Sequence, residues 1–284
     1  MTPSETATWG DFVEGLPIFR DAILCGVAAG AVLGPLGVYV VLRRMVFVTA
    51  ALSQAAGLGV AVSFYCAIHL GLDVPPIVGA IVTSLLVTVA LAGKPEWLGL
   101  SRESVLGLAY LAGGALAVAV GDRIAQEAHD IASILFGTAV LVRPLDLTLL
   151  LGASAVVAVV LIVGHRGFVA ASFDPDGARV RRVPVAALDL TLWFLVALEV
   201  SVATRALGVL PVFGFSVLPA MGALMSGVRM SRTLVLASIL GAASGGLGYV
   251  AAFFFSFPVG ASQTLAAGLL LVPFAIARLV RRDA

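Results

Sequence analysis

Glu199, in Leu198-Glu199-Val200-Ser201, is the residue whose chemistry stands out, because the run from 186 to 207 around it is apolar and long enough to cross a bilayer. An ionisable group at such a depth is costly unless it faces a partner or a water-filled path. No basic residue lies one turn away to pair with it locally. Two readings follow: a protonated side chain hydrogen-bonded to a neighbouring helix, or a site in a translocation path. A second pattern is narrower. Ala50, Gln54, Gly57 and Ala61 recur at helical spacing, so one amide projects from an otherwise small-residue face. That face either lines a pathway or packs on another helix with Gln54 satisfied across the contact.

Other chemistries find no support. His69, His129 and His165 are scattered and no H-E-x-x-H pattern occurs; the adjacent His129-Asp130 pair would point in different directions on a helix. Cys25 and Cys66, the two cysteines, exclude a disulfide scaffold or a multi-thiolate zinc module. They fall at similar depth on consecutive spans, as a soft-metal pair or as buried apolar side chains. One mid-membrane carboxylate does not supply the dyad that intramembrane hydrolysis would need. The lone lysine, Lys94, stands in Ala92-Gly93-Lys94-Pro95 without a phosphate-binding loop. No cofactor is implied, and any ATP hydrolysis belongs to a separate chain.

The elements that must position these residues are transmembrane helices. A chain of 284 residues with 61% hydrophobic content, 12% charged residues and mean hydropathy of +1.11 is too apolar for one soluble domain. The formal net charge of +1 leaves no basic face for nucleic acid. The expected class is an all-α polytopic membrane protein of eight to nine spans forming one domain over 1–284. Candidate spans are 21–42, 46–70, 75–92, 104–121, 145–164, 186–207, 209–228, 232–255 and 259–278. With the N-terminus outside, every Lys and Arg except Arg20, Arg123, Arg143 and Arg205 falls in an inside loop or at the inside C-terminus, the bias that fixes orientation. Asp189 then sits at the cytoplasmic entry of its span as a boundary residue.

Residues 1–20 carry Glu5, Asp11 and Glu14 and no basic n-region, which argues against a cleaved signal peptide. Trp9, Phe12, Leu16 and Phe19 suit a short interfacial amphipathic segment instead. The apolar stretch Ile131 to Val142 is too short to cross and reads as a half-helix. Pro211, Gly214 and Pro219 are expected to interrupt the span at 209–228, a device tolerated where the backbone is buried or lines a cavity. Gly26, Gly30 and Gly34, with Gly241 and Gly245, predict close helix packing.

Gly34-Pro35-Leu36-Gly37-Val38-Tyr39-Val40-Val41-Leu42-Arg43-Arg44-Met45, running into Ala51-Leu52-Ser53-Gln54-Ala55-Ala56-Gly57-Leu58-Gly59-Val60-Ala61, resembles the zinc/manganese ABC-importer permease family. Ile134-Leu135-Phe136-Gly137-Thr138, Phe173-Asp174-Pro175-Asp176-Gly177-Ala178, Leu207-Gly208-Val209-Leu210 through Leu218-Pro219-Ala220, and Phe257-Pro258-Val259-Gly260-Ala261 fit the same family in order. The resemblance covers nearly the whole chain. It implies a type II ABC-importer-like permease in a bacterial cytoplasmic (inner) membrane, working as a homodimer with cytoplasmic ATP-binding subunits and an extracytoplasmic substrate-binding protein. In that picture residues 165–185 form the cytoplasmic coupling loop, with Phe173, Asp174, Pro175 and Ala178 docking on the ATPase. Asp174-Pro175 suits a helix start, and Arg179, Arg181 and Arg182 offer cations to a partner; on chemistry alone the loop also reads as a solvated basic linker.

This sequence departs from the family at one place. Zinc and manganese permeases commonly carry an Asp and, four residues on, a His facing the pathway of the second span, where Ala50 and Gln54 stand here. Alanine cannot coordinate, and a neutral amide is a poor ligand for a borderline cation. Either Glu199 supplies the missing ligand or the cargo is different, for example a chelated metal. The function expected is inward movement of zinc, manganese, iron or a metal complex by ATP-driven alternating access, with the first, second and sixth spans lining the path and Ala50, Gln54, Gly57 and Glu199 in it. The competing class is a self-sufficient secondary transporter with Glu199 as its proton-coupling carboxylate.

Overall fold

A computed structural model describes residues 8–92, 101–124 and 142–281. They form helices α1 (Trp9–Leu42), α2 (Val46–Leu70), α3 (Pro76–Ala92), α4 (Arg102–Asp122), α5 (Pro144–Val163), α6 (His165–Phe173), α7 (Pro175–Val180), α8 (Val185–Leu207), α9 (Val209–Met225), α10 (Met230–Phe255) and α11 (Val259–Val280), with no strand among the described residues. Seven of these are long and apolar enough to cross a membrane, and the shorter apolar helices at 76–91 and 209–225 complete the pattern of eight to nine spans. Lys94, His129, Asp130 and the expected half-helix from Ile131 through residue 141 lie outside the described residues. The outer surface is apolar in stripes. Leu265, Leu269, Val272, Ile276 and Leu279 lie exposed along α11, and Val78, Val82, Leu86 and Val89 along α3, a spacing that water would penalise and lipid accepts.

Close approach builds the bundle. On α1, Gly26, Gly30 and Gly34 meet Gly245, Gly241 and Ala237 of antiparallel α10, and a Cβ on Gly30 would fall on the Gly241 carbonyl. Small residues at four-residue spacing let the two backbones touch where lipid offers no hydrophobic drive to association. Further along nearly the same face, seven residues on from Gly30, Gly37 presses against the Ser216 carbonyl of α9, so α1 is gripped by two neighbours. Gly59 of α2 and Gly79 of α3 repeat the arrangement.

Two helices differ from expectation. Residues 9–20 are not a separate segment, because α1 runs unbroken from Trp9 and is about 50 Å long at 1.5 Å per residue. Its start is fixed by a capping box in which the Thr8 hydroxyl accepts from the Asp11 amide and the Asp11 carboxylate accepts from the Thr8 amide at 2.8 Å. Trp9, Phe12 and Phe19 then pack, mostly tilted or edge to face, on Tyr249, Phe253 and Phe254 of α10. The span near 209–228 is not interrupted either. Pro211 falls in the first turn of α9, where no intrahelical donor is required, and the helix continues through Pro219. The break lies one step earlier, at Gly208, whose φ of 98° turns the chain directly from α8 into α9.

The connections sort by charge. The turns at 43–45 and 226–229, the stretch from α6 to the start of α8, and the C-terminal end of α11 share one end of the bundle, where Arg43 bonds Ser172, His165 meets Ser231 and Arg281 bonds the Ser226 carbonyl. This is the arginine-rich end.

Candidate transport site

The sequence-predicted residues fall in three places. Ala50 and Gln54 of α2 line a groove of about 500 Å³ completed by Tyr110, Leu111, Gly114, Ala115 and Val118 of α4 and by Val209, Leu210 and Phe213 of α9. Gln54 lies over Gly113 and Gly114, and a Cβ on Gly114 would come within 3.2 Å of its Oε1. That oxygen is buried and has no hydrogen-bond partner among the described residues. Gly57 sits one turn along, its Cβ position 3.2 Å from a Val209 methyl, so it lets α9 approach α2 at the groove's edge. Polar side chains in the groove are Gln54 and Tyr110; everything else is aliphatic, aromatic or glycine.

Glu199 is elsewhere. It is fully buried in the bundle on α8, where the Ser154 hydroxyl of α5 donates to its Oε1 at 2.7 Å, and it is not among the residues lining the groove. Its Oε2 has no partner among the described residues. Nearer the same end of α5 and α8, Asp146 and Arg205 form a largely buried pair at 3.7 Å. Each charge complements its helix, Asp146 in the first turn of α5 and Arg205 in the last turn of α8. The structure therefore separates the amide from the carboxylate, and no group of three or more His, Cys, Asp or Glu side chains is placed to hold a metal among the described residues. Cys25 and Cys66 are both free thiols, Cys25 buried and Cys66 partly so.

The third place is the arginine-rich end. Asp174 caps α7, its Oδ1 accepting from the Gly177 amide at 2.8 Å, and Pro175 occupies the first helical position. Phe173 is 61% exposed, so it is available to a partner. Ala178 is not: it is 2% exposed and packs with Ala171 and Val185, holding α7 against α6 and α8 from beneath. Arg179 pairs with Asp176 on the exposed side at 2.7 Å. Asp189 is more than a boundary residue, since it forms an ion pair with Arg43 across the bundle.

Sequence reasoning missed Tyr110, Leu111 and Phe213 as groove residues. Tyr110, Leu111, Gly114, Ala115 and Val118 do form a 3–4 spaced stripe on α4, a signal the sequence carries without saying which of many apolar stripes faces a cavity rather than lipid.

Comparison with known proteins matches residues 16–278 to the model of a family described as the ABC 3 transport family. The chain is 28% identical over 250 residues to an uncharacterized membrane protein of Synechocystis, covering 88% of this chain and 87% of that protein. It is 27% identical over 271 residues to the manganese import system permease protein ScaB of Streptococcus gordonii, covering 94% and 95%. Its fold is similar to PsaBC from Streptococcus pneumoniae, solved in complex with Fab, with a TM-score of 0.83, 24% identity and coverage of 94% and 95%.

Proposed function

Since the chain belongs to the ABC 3 transport family, we propose that it is the permease subunit of a bacterial ABC importer that brings a divalent metal, as manganese, zinc, iron or a complex of one of them, into the cell. The manganese permease named among its relatives supports a metal cargo. The observation that carries the pathway is the groove around Gln54. It is open along the flank of the chain, so a second copy facing it would close a channel between two such grooves. In this reading α2, α4 and α9 form the walls, in place of the first and sixth spans. A groove whose polar contacts are one amide and one phenol suits a cation that keeps its water shell or chelator, because neither group replaces a carboxylate or imidazole for a bare borderline ion.

The arginine-rich end faces the cytoplasm, with the N-terminus outside and the C-terminus inside, in keeping with the bias of positive residues. There the exposed Phe173 and the Asp174-Pro175 corner meet a separate ATP-binding subunit, and an extracytoplasmic binding protein delivers cargo at the opposite end. ATP hydrolysis by the partner drives alternating access. The proton-coupled alternative draws no support from Glu199, which bonds to Ser154 away from the groove.

The test is uptake by the permease reconstituted with its ATPase and binding protein, comparing zinc, manganese and iron with and without a chelating carrier. ATP-dependent uptake of a metal or its complex is expected. Uptake that proceeds without ATP and follows a proton gradient would overturn the reading.

A further inference from the structure

The α1–α2 turn is tied to the docking segment by side chains that the transport path does not use. Arg43, at the end of α1, donates from Nε to the Ser172 hydroxyl of α6 at 2.9 Å and pairs through Nη1 with Asp189 of α8. Its side chain is only 10% exposed, and Nη2 is buried with no hydrogen-bond partner among the described residues. One turn earlier Tyr39 makes a second link: its hydroxyl lies 3.3 Å from His165 Nδ1, and its ring packs at 5.6 Å on the buried Phe168. Tyr39 of α1 and Arg43 at its C-cap thus meet 165, 168 and 172 of α6, a match of four-residue with three- and four-residue spacing. Ser172 immediately precedes the exposed Phe173 and the Asp174 cap.

The other side of the clasp is equally direct. Only residues 43–45 separate α1 from α2, and the turn is fixed by Arg44 at φ 56° and by the Met45 amide donating to the Val40 carbonyl at 2.8 Å. A turn this short passes displacement straight into α2, whose next two turns carry Ala50 and Gln54. Resting on the functional reading above, we propose that Arg43 is a positioning residue that couples the ATPase-docking segment to the Gln54 wall of the groove. A guanidinium suits the task because its planar fork holds a hydroxyl and a carboxylate at once, whereas the ammonium of lysine is a point charge on a flexible stem. A nearly buried Arg is retained only where its charge is paired, so α1, α6 and α8 are expected to move at this end as one body.

The experiment compares wild type, Arg43→Gln, Arg43→Lys and Asp189→Asn in the full reconstituted complex. The readouts are metal transported per ATP hydrolysed, subunit assembly, and the nucleotide-dependent change in distance between spin labels at the exposed position 47 of the two permease copies. Arg43→Gln and Asp189→Asn are expected to assemble and hydrolyse ATP while transport per ATP falls at least tenfold and the distance change is lost. Arg43→Lys is expected to recover part of both. An assembled Arg43→Gln complex with wild-type transport per ATP and an unchanged distance response would overturn the proposal, as would a variant whose whole defect is poor assembly. If wild type shows no ATP-dependent uptake, the functional reading fails. The spin-label response then judges Arg43 separately: loss of a wild-type response in Arg43→Gln supports the clasp, and a response absent from wild type or retained in the variant overturns it.

Discussion

Gly30 of α1 and Gly241 of α10 approach so closely that a Cβ on either would land on the carbonyl oxygen of the other. The obstacle is backbone, which cannot swing aside as a side-chain tip can. Gly30→Val or Gly241→Val must push the helices apart along the whole register from Gly26 to Gly34. Overpacking of this kind costs about 1–3 kcal/mol, and a lower thermal unfolding temperature of the purified protein is expected. Unchanged melting in both variants would show that the contact does not hold the bundle.

The Ser154–Glu199 hydrogen bond at 2.7 Å makes a different demand. Ser154→Ala leaves a buried carboxyl without its donor, a change expected to cost about 1–3 kcal/mol of stability. Glu199→Gln keeps an acceptor toward Ser154 in nearly the same volume. Uptake is therefore expected to stay within about twofold of wild type, the size of effect that the loss of less than half a kcal/mol produces. A well-folded Glu199→Gln protein that cannot transport would place this carboxyl in the path after all.

How much of this was legible in the sequence depends on the range of the interaction. The spans came from hydropathy, which is local, and so did the glycine spacing on α1 and α10 and the helix start at Asp174-Pro175. Pro211 misled because a proline in a first turn has no bond to break, and only the position of Gly208 decides where that turn begins. Gln54 and Glu199 both drew notice as polar groups in apolar runs, yet which faces the groove depends on helix rotation, set by neighbours far along the chain. Arg43 and Asp189 looked like two loop-end charges. Their pairing spans 146 residues of sequence and has no local signature.

The Asp174 cap can be separated from the charge of its side chain. Asp174→Asn still offers an oxygen to the Gly177 amide, while Asp174→Ala does not, and losing such a cap costs about 1 kcal/mol. In a six-residue helix that is enough to fray the docking surface. ATPase stimulation by the loaded binding protein is expected to be near normal in Asp174→Asn, several-fold weaker in Asp174→Ala and lost in Asp174→Arg. Equal loss in all three would assign the role to the carboxylate charge instead of the cap.

Ala50 and Gln54 sit four residues apart on α2, the spacing that sets two side chains one above the other on a helix face. The double substitution A50D/Q54H would therefore place a carboxylate and an imidazole together at the groove wall, a donor pair that zinc accepts at about 2.0–2.2 Å. Ala50 is only 4% exposed, so the new aspartate begins as a poorly solvated charge that a bound cation relieves. Binding to the folded state alone raises stability by mass action, so zinc at about 100 times its dissociation constant should add about 2.7 kcal/mol and lift the melting temperature of A50D/Q54H. Wild type, with its amide and methyl, is expected to show no such shift at the same zinc concentration. A zinc-dependent shift in wild type that disappears in Gln54→Ala would mean that the native groove already binds the bare ion, and the preference for a hydrated or chelated cargo would fall.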